Sequence, residues 1–183
     1  QKQHLELCRD IAQKFNNDFG ASDFLKVPEP LIQKEFSRIM SLKDGLKKMS
    51  KSDPSDLSRI NLTDDKEQIS NKIKKAKTDP MSMPPDLKNL SHRPEAENLL
   101  GIYSSLANQT LEKSVNNFSG KNFSQFKDKL SEILVAKIEP ISKEIKKLLN
   151  DETYLDGILL DGSIKADKIA SKKIKNIKHL IGF

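Results

Sequence analysis

One cysteine, three histidines and no apolar run of bilayer length exclude several kinds of protein at the outset. A membrane-spanning helix needs about 20 consecutive apolar residues. Nothing in these 183 residues approaches that, so no membrane association is expected. Cys8 has no second cysteine to pair with, which rules out an internal disulfide and fits a reducing, cytoplasmic setting. His4, His92 and His179 are too scattered for a metal site, and one cysteine cannot complete a zinc cluster. The seven glycines nowhere form a phosphate-binding loop of the P-loop type. Even the net charge of +6 is missing a focus: residues 1–60 carry 11 basic and 9 acidic groups, residues 61–136 carry 11 and 10, and the last 47 carry 10 and 7. A nucleic-acid surface usually gathers its basic charge on one face. Lysines set beside acids describe a solvated helical surface, which permits an RNA partner without requiring one.

What is present is mostly helical periodicity. Leu5, Cys8, Ile11, Ala12 and Phe15 share one face of a helix near 4–16, which makes Cys8 a small core residue with nothing nearby to lower its pKa. A Gly20 turn and an irregular stretch through Pro28 and Pro30 follow. Ser37 to Leu42 ("SRIMSL") reads as a short strand or a buried extended segment, and the loop Lys48 to Ser52 ("KMSKS") comes after it, closed by Asp53-Pro54. Asp64 with Glu67 fits the start of a helix that continues through Ile69, Ile73 and Ala76. Pro80, Pro84, Pro85 and Pro94 mark an exposed connection of about fifteen residues, the length at which loops become functional or mobile. Pro94 suits the first position of the next helix. Further helices are expected near 110–117, 122–149, 152–159 and 163–180. Leu130, Ile133, Leu134, Ile138, Ile141, Ile145 and Leu148 share a face of the second, which Pro140 should kink or split. No strand and no repeat is expected after Asp53.

The Lys48–Ser52 loop carries the chemistry. Lysine is a compact point charge with three donors, suited to polyphosphate. Two lysines three residues apart, with hydroxyls between and beside them, can wrap several phosphate oxygens if the loop closes. Reactions at phosphorus are catalysed mainly by positioning and by stabilising charge in the transition state. In a lysine-rich chain a solvated Lys/Ser turn is the competing reading.

"SRIMSLKDGLKKMSKSDP" resembles the second signature region of class I aminoacyl-tRNA synthetases, specifically the tryptophanyl-tRNA synthetases. "QKQHLELCRDIAQKFN", "NLTDD", "KTD" and "NLLGIY" are similar to further family segments in family order, so the resemblance spans essentially the whole chain. It implies a mainly α chain: residues 1–52 as the C-terminal part of a Rossmann-type α/β catalytic domain, and residues 53–183 as an all-helical anticodon-binding domain. The family's HIGH-type motif, indole-reading aspartate and Gly-Glu-Asp turn have no match here, so the chain is expected to be a C-terminal piece that is inactive alone. The implied reaction is ATP-dependent activation of L-tryptophan and its transfer to tRNA(Trp), with Mg²⁺ accompanying ATP and a homodimer for the complete protein.

The resemblance also implies roles. Lys48 and Lys51 would hold the departing pyrophosphate, Ser50 and Ser52 would add donors or cap the turn, and Met49 would anchor the loop by packing. The backbone of Ile39 would touch adenine, a purely structural place in the strand being the alternative, and Gln1 would lie near the tryptophan ammonium. The alternatives are a non-catalytic RNA-binding helical module and an unrelated helical protein with a chance Lys/Ser loop. The lysines at 165, 168, 172, 173, 175 and 178 could meet RNA phosphate or form a solvated face. Phe118, Phe123, Phe126, Tyr103 and Tyr154 are the aromatics considered for base stacking, most of them expected in the core.

Overall fold

In the computed structural model, residues 2–31 and 38–183 are described, and the statements below concern these. Seven α-helices and one pair of short strands make the chain mainly α, as expected from the sequence. Helix α1 spans Lys2–Asp18; β1 (Met40–Ser41) and β2 (Asp44–Lys48) form an antiparallel hairpin; a turn of 3₁₀ helix covers Asp56–Ser58. Then come α2 (Lys66–Lys75), α3 (Leu87–Leu90), α4 (Pro94–Leu106), α5 (Leu111–Phe118), α6 (Phe123–Leu149) and α7 (Glu152–Leu180). The chain divides into two compact units, Gln1–Lys34 with Asp151–Phe183, and Glu35–Asn150.

Local chemistry explains where the helices of the second unit begin. The amides left without partners at a helix start need acceptors. Thr110 accepts from the Lys113 amide, and Asn122 from that of Gln125. α4 needs no such acceptor at its first position, because Pro94 has no N–H to satisfy. At α2 the cap is Asp65, one residue beyond the expected Asp64, and a reciprocal box with Gln68 completes it. Asp64 is instead buried, for a reason given below.

The core of this unit joins α2, α4, α5 and α6 through Ile69, Ile73, Leu99, Val115, Phe126 and Leu130. Phe118 and Phe126 meet edge to face at 4.8 Å, and Tyr103 lies edge-on to Phe118 at 4.9 Å. Ser104, buried on α4, donates to Leu100 O and shares a 2.7 Å hydrogen bond with Ser114 of α5. The 80–94 connection departs from the exposed strap expected: Met83, Pro84 and Leu90 are buried. Met83 N donates to Lys121 O (2.8 Å), Gly120 N to Met83 O (3.2 Å), and Arg93 forks onto both oxygens of Asp79. Pro140 does not split α6, which runs unbroken past it.

In the first unit α1 buries Ala12 and Asn16, while Leu7, Cys8 and Ile11 are exposed. The core reading of Cys8 is therefore corrected. Asn16 holds the returning chain by both amide atoms, to Leu25 N and Leu25 O (2.9 Å each), so the buried face is Ala12 with Asn16 and Cys8 lies outside it. The two helices expected at 152–159 and 163–180 are one, α7, and none of its residues is buried; the face of Ala170 and Ile174 stays open. Of the terminal lysine series, Lys173 donates to Phe24 O (2.7 Å) with its ammonium 4.2 Å above the Phe24 ring.

Candidate functional site

The Lys/Ser loop grows directly out of a strand, and the strand is held from below. β2 was not foreseen: after a turn at Leu42–Lys43, Asp44–Lys48 pairs back on β1, with Met40 opposite Lys48. The strand foreseen over 37–42 shrinks to Met40–Ser41, and Ser37 lies outside the described residues. Two features of α4 fix the hairpin. The side-chain amide of Asn98 accepts from Met40 N (2.9 Å) and donates to Met40 O (2.8 Å), acting as a neighbouring strand would. Gly45 lies so close to the start of α4 that a Cβ would sit 2.6 Å from the Pro94 carbonyl carbon. Leu42 is sealed in the core, its amide bonded to Ser58 O (2.9 Å) and its carbonyl to Lys77 N (2.8 Å).

On this base the loop turns outward. Lys48, Ser50, Lys51 and Ser52 are exposed, and Met49 is partly buried against the core. Met49 N donates to Ile39 O (3.0 Å), so the Ile39 carbonyl closes the hairpin while its side chain stays in solvent. The two hydroxyls meet each other, Ser50 Oγ to Ser52 Oγ at 2.9 Å, and Asp53 N donates to Ser50 O (3.3 Å) to close the turn. Lys47 pairs with Asp44 (3.8 Å); Lys48 and Lys51 make no ion pair among the described residues. The structure thus brings Ile39 and Lys48–Ser52 together on one hairpin end, whereas Gln1 lies outside the described residues. Two ammonium groups and two hydroxyls at a tight turn present donors to an anion.

Behind the loop lies a charged set that sequence reasoning missed. Arg59 Nη1 donates to Asp53 O (2.9 Å), Asp56 pairs with Lys72 of α2 (2.7 Å), and Lys72 also meets Asp64 (2.6 Å). The hydrogen bond from Lys72, then that from Asn61, holds the Asp56 carboxyl below the usual range. The one available signal was a lysine beside Ile69 and Ile73 on the apolar face of α2. Nearby, the hydrogen bond from Lys77 holds Glu95 below its ordinary range against the opposing effect of burial. A cleft of about 730 Å³ between hairpin and α4 is lined by Arg38, Met40, Leu46, His92, Glu97 and Asn98, and no residue of Lys48–Ser52 lines it.

Residues 1–160 match the family model described as tRNA synthetases class I (W and Y). All 183 residues align with the tryptophan–tRNA ligase of Caulobacter vibrioides at 49% identity, covering 53% of that protein, and with that of Rickettsia felis at 51%, covering 54%. The chain spans about half the length of these curated relatives. Among solved structures, tryptophanyl-tRNA synthetase from Mycoplasma pneumoniae superposes with a TM-score of 0.79 at 30% identity, covering 100% of this chain and 54% of that one. The Campylobacter jejuni enzyme complexed with ADP and tryptophan gives 0.67 at 27% identity, covering 99% and 54%.

Proposed function

We propose, from the premise that this chain belongs to the class I tRNA synthetases (W and Y), that it is part of a ligase that activates L-tryptophan with ATP and transfers it to tRNA(Trp). The observation that carries the reading is the exposed Lys48–Ser52 turn at the end of a hairpin clamped to α4. The ADP and tryptophan in the Campylobacter jejuni relative support the choice of nucleotide and amino acid. In the reaction the tryptophan carboxylate attacks the α-phosphorus of ATP. A P–O bond forms to the carboxylate, the bridge to the β-phosphate breaks, and its electron pair leaves with pyrophosphate. Lys48 and Lys51 meet the charge that builds on those leaving oxygens, a contact stronger in the transition state than before it. Ser50 and Ser52 preset the turn or add donors of their own. Met49 roots it, Ile39 offers backbone toward the adenine, and Gln1 is assigned to the tryptophan ammonium. The ammonium groups of Lys48 and Lys51 suit phosphate, and Mg²⁺ would arrive on the ATP phosphates. By role, residues 1–52 belong to catalysis and residues 53–183 to anticodon recognition, in a homodimeric cytoplasmic protein.

The test is tryptophan-dependent exchange of pyrophosphate into ATP by the complete protein. Lys51→Ala is expected to lower kcat by about 10²–10³, the scale of one lost transition-state contact, with KM for tryptophan little changed. A change confined to KM would mean Lys51 supplies only ground-state binding, and an unchanged rate would remove the loop from the reaction.

A further inference from the structure

The nine residues that follow the loop, Asp53 to Asn61, are tied to a buried ammonium group. Lys72 is 3% exposed, in the middle of α2, and its Nζ lies 2.6 Å from Asp64 and 2.7 Å from Asp56. Asp64, equally buried, is fixed in turn by Asn61 N (2.9 Å) and by the Asn61 side chain (3.2 Å), which also reaches Asp56 (2.9 Å). Arg59 spans the remaining gap. Its Nη2 pairs with Asp56 (3.3 Å), and its Nη1 donates to Asp53 O, two residues from Lys51. A continuous line of ion pairs and hydrogen bonds therefore runs from the interior of α2 to the base of the loop.

Burying an ammonium costs several kcal/mol in lost hydration, and a well-packed apolar side chain would hold α2 about as well. What an apolar side chain could not do is fix the direction of Asp56 and, through Arg59, of the Asp53 carbonyl. We propose that Lys72 and Asp56 are positioning residues for the Lys48–Ser52 loop, setting through Arg59 the place from which Lys51 reaches the phosphates. This rests on the proposed role of Lys51. Small displacements matter here, since a misplacement of about 1 Å can cost about a hundredfold in rate.

Pyrophosphate exchange by the complete protein, measured for Asp56→Ala, Lys51→Ala and the double variant, tests the proposal. Asp56 is the informative position because its side chain is more than half exposed and Lys72 retains Asp64 when it is removed, so the fold is kept. Asp56→Ala is expected to lower kcat about tenfold with KM for tryptophan within about twofold. On top of Lys51→Ala it should cost less than about twofold, since residues acting as one unit are not additive. Asp56→Glu, which keeps the carboxylate, should recover most of the rate, and Asp56→Asn should not. A full independent penalty in the double variant, or an unchanged rate in Asp56→Ala while Lys51→Ala is slow, overturns the positioning role and leaves the loop's assignment standing. A fast Lys51→Ala overturns both.

Discussion

Asp79 receives both arms of the Arg93 fork, at 2.7 and 2.8 Å, and the Met81 amide at 2.9 Å. Burial pushes its carboxyl up, but Arg93 and the Met81 amide outweigh that, and the net displacement is below the ordinary value. The sign of the linkage follows. A carboxylate whose folded pKa is depressed stabilises the fold above its unfolded pKa of about 4, and that contribution fades as pH falls through the folded value. Asp79→Asn should cost about 1.5–3 kcal/mol at pH 7, the range for hydrogen bonds to charged groups. The gap between variant and parent should close as pH drops below about 4. Urea unfolding of both proteins across about pH 7 to 3 checks this, and a gap that persists at the acid end would show that charge is not what Asp79 contributes. Not all of this scale could be foreseen. The pairing of Asp79 with Arg93 joins residues fourteen apart across irregular chain, and no periodicity announces it. The Lys72 set is hidden for the same reason, since it draws on a 3₁₀ turn, a loop and a helix.

The hairpin is the element on which the loop depends, and its support comes from a helix about fifty residues further on. Gly45 is needed there for want of space: an added Cβ would meet backbone atoms of Pro94 and Glu95 at 2.6 to 2.9 Å, and backbone cannot rotate aside. Gly45→Ala should therefore push β2 off α4, cost about 1–3 kcal/mol as overpacking does, and slow pyrophosphate exchange with it. Wild-type stability together with wild-type exchange would mean that the hairpin floats free of α4. The longer helices of this unit were legible because their apolar positions recur at helical spacing, as at Ile69, Ile73 and Ala76 around α2, whereas the single turn of α3 inside the expected connection was not. The hairpin was not, because its second strand is built from Asp44, Gly45, Leu46, Lys47 and Lys48, a composition that reads as turn, and long-range contacts with Asn98 and Pro94 decide its state. Two expected breaks failed for physical reasons. At Pro140 both the proline and Ala136, whose carbonyl loses its partner, face solvent, so water can take the place of the missing bond. In α7, Gly157 and Gly162 each cost about 1 kcal/mol relative to alanine, less than ending one helix and nucleating another.

For the whole molecule the question is how residues 53–183 would read an anticodon, the role proposed for them. Phe118, Phe123 and Phe126 are buried and Tyr103 is half-buried against them, so of the five aromatics considered from sequence only Tyr154 stands in solvent. An anticodon is a single-stranded loop whose bases are read at their edges as well as stacked upon. If residues 53–183 bind that loop, a surface with few free rings would use the first mode, with amide, hydroxyl and basic side chains. Its evenly spread charge suits that mode, since phosphate contacts add affinity without choosing a base. Charging of tRNA(Trp) by the complete protein should accordingly fall when the CCA anticodon is altered, by an amount that is the same at low and high salt. Overall affinity should weaken as salt rises. Tyr154→Ala should weaken binding to the native tRNA by no more than the about 1–3 kcal/mol of one stacked base. Discrimination that vanishes with salt would mean that phosphate contacts, and not base edges, carry the recognition. Charging indifferent to the anticodon at every salt concentration would reduce residues 53–183 to a structural support, and the line of contacts from α2 to the loop would then be their whole contribution to the reaction.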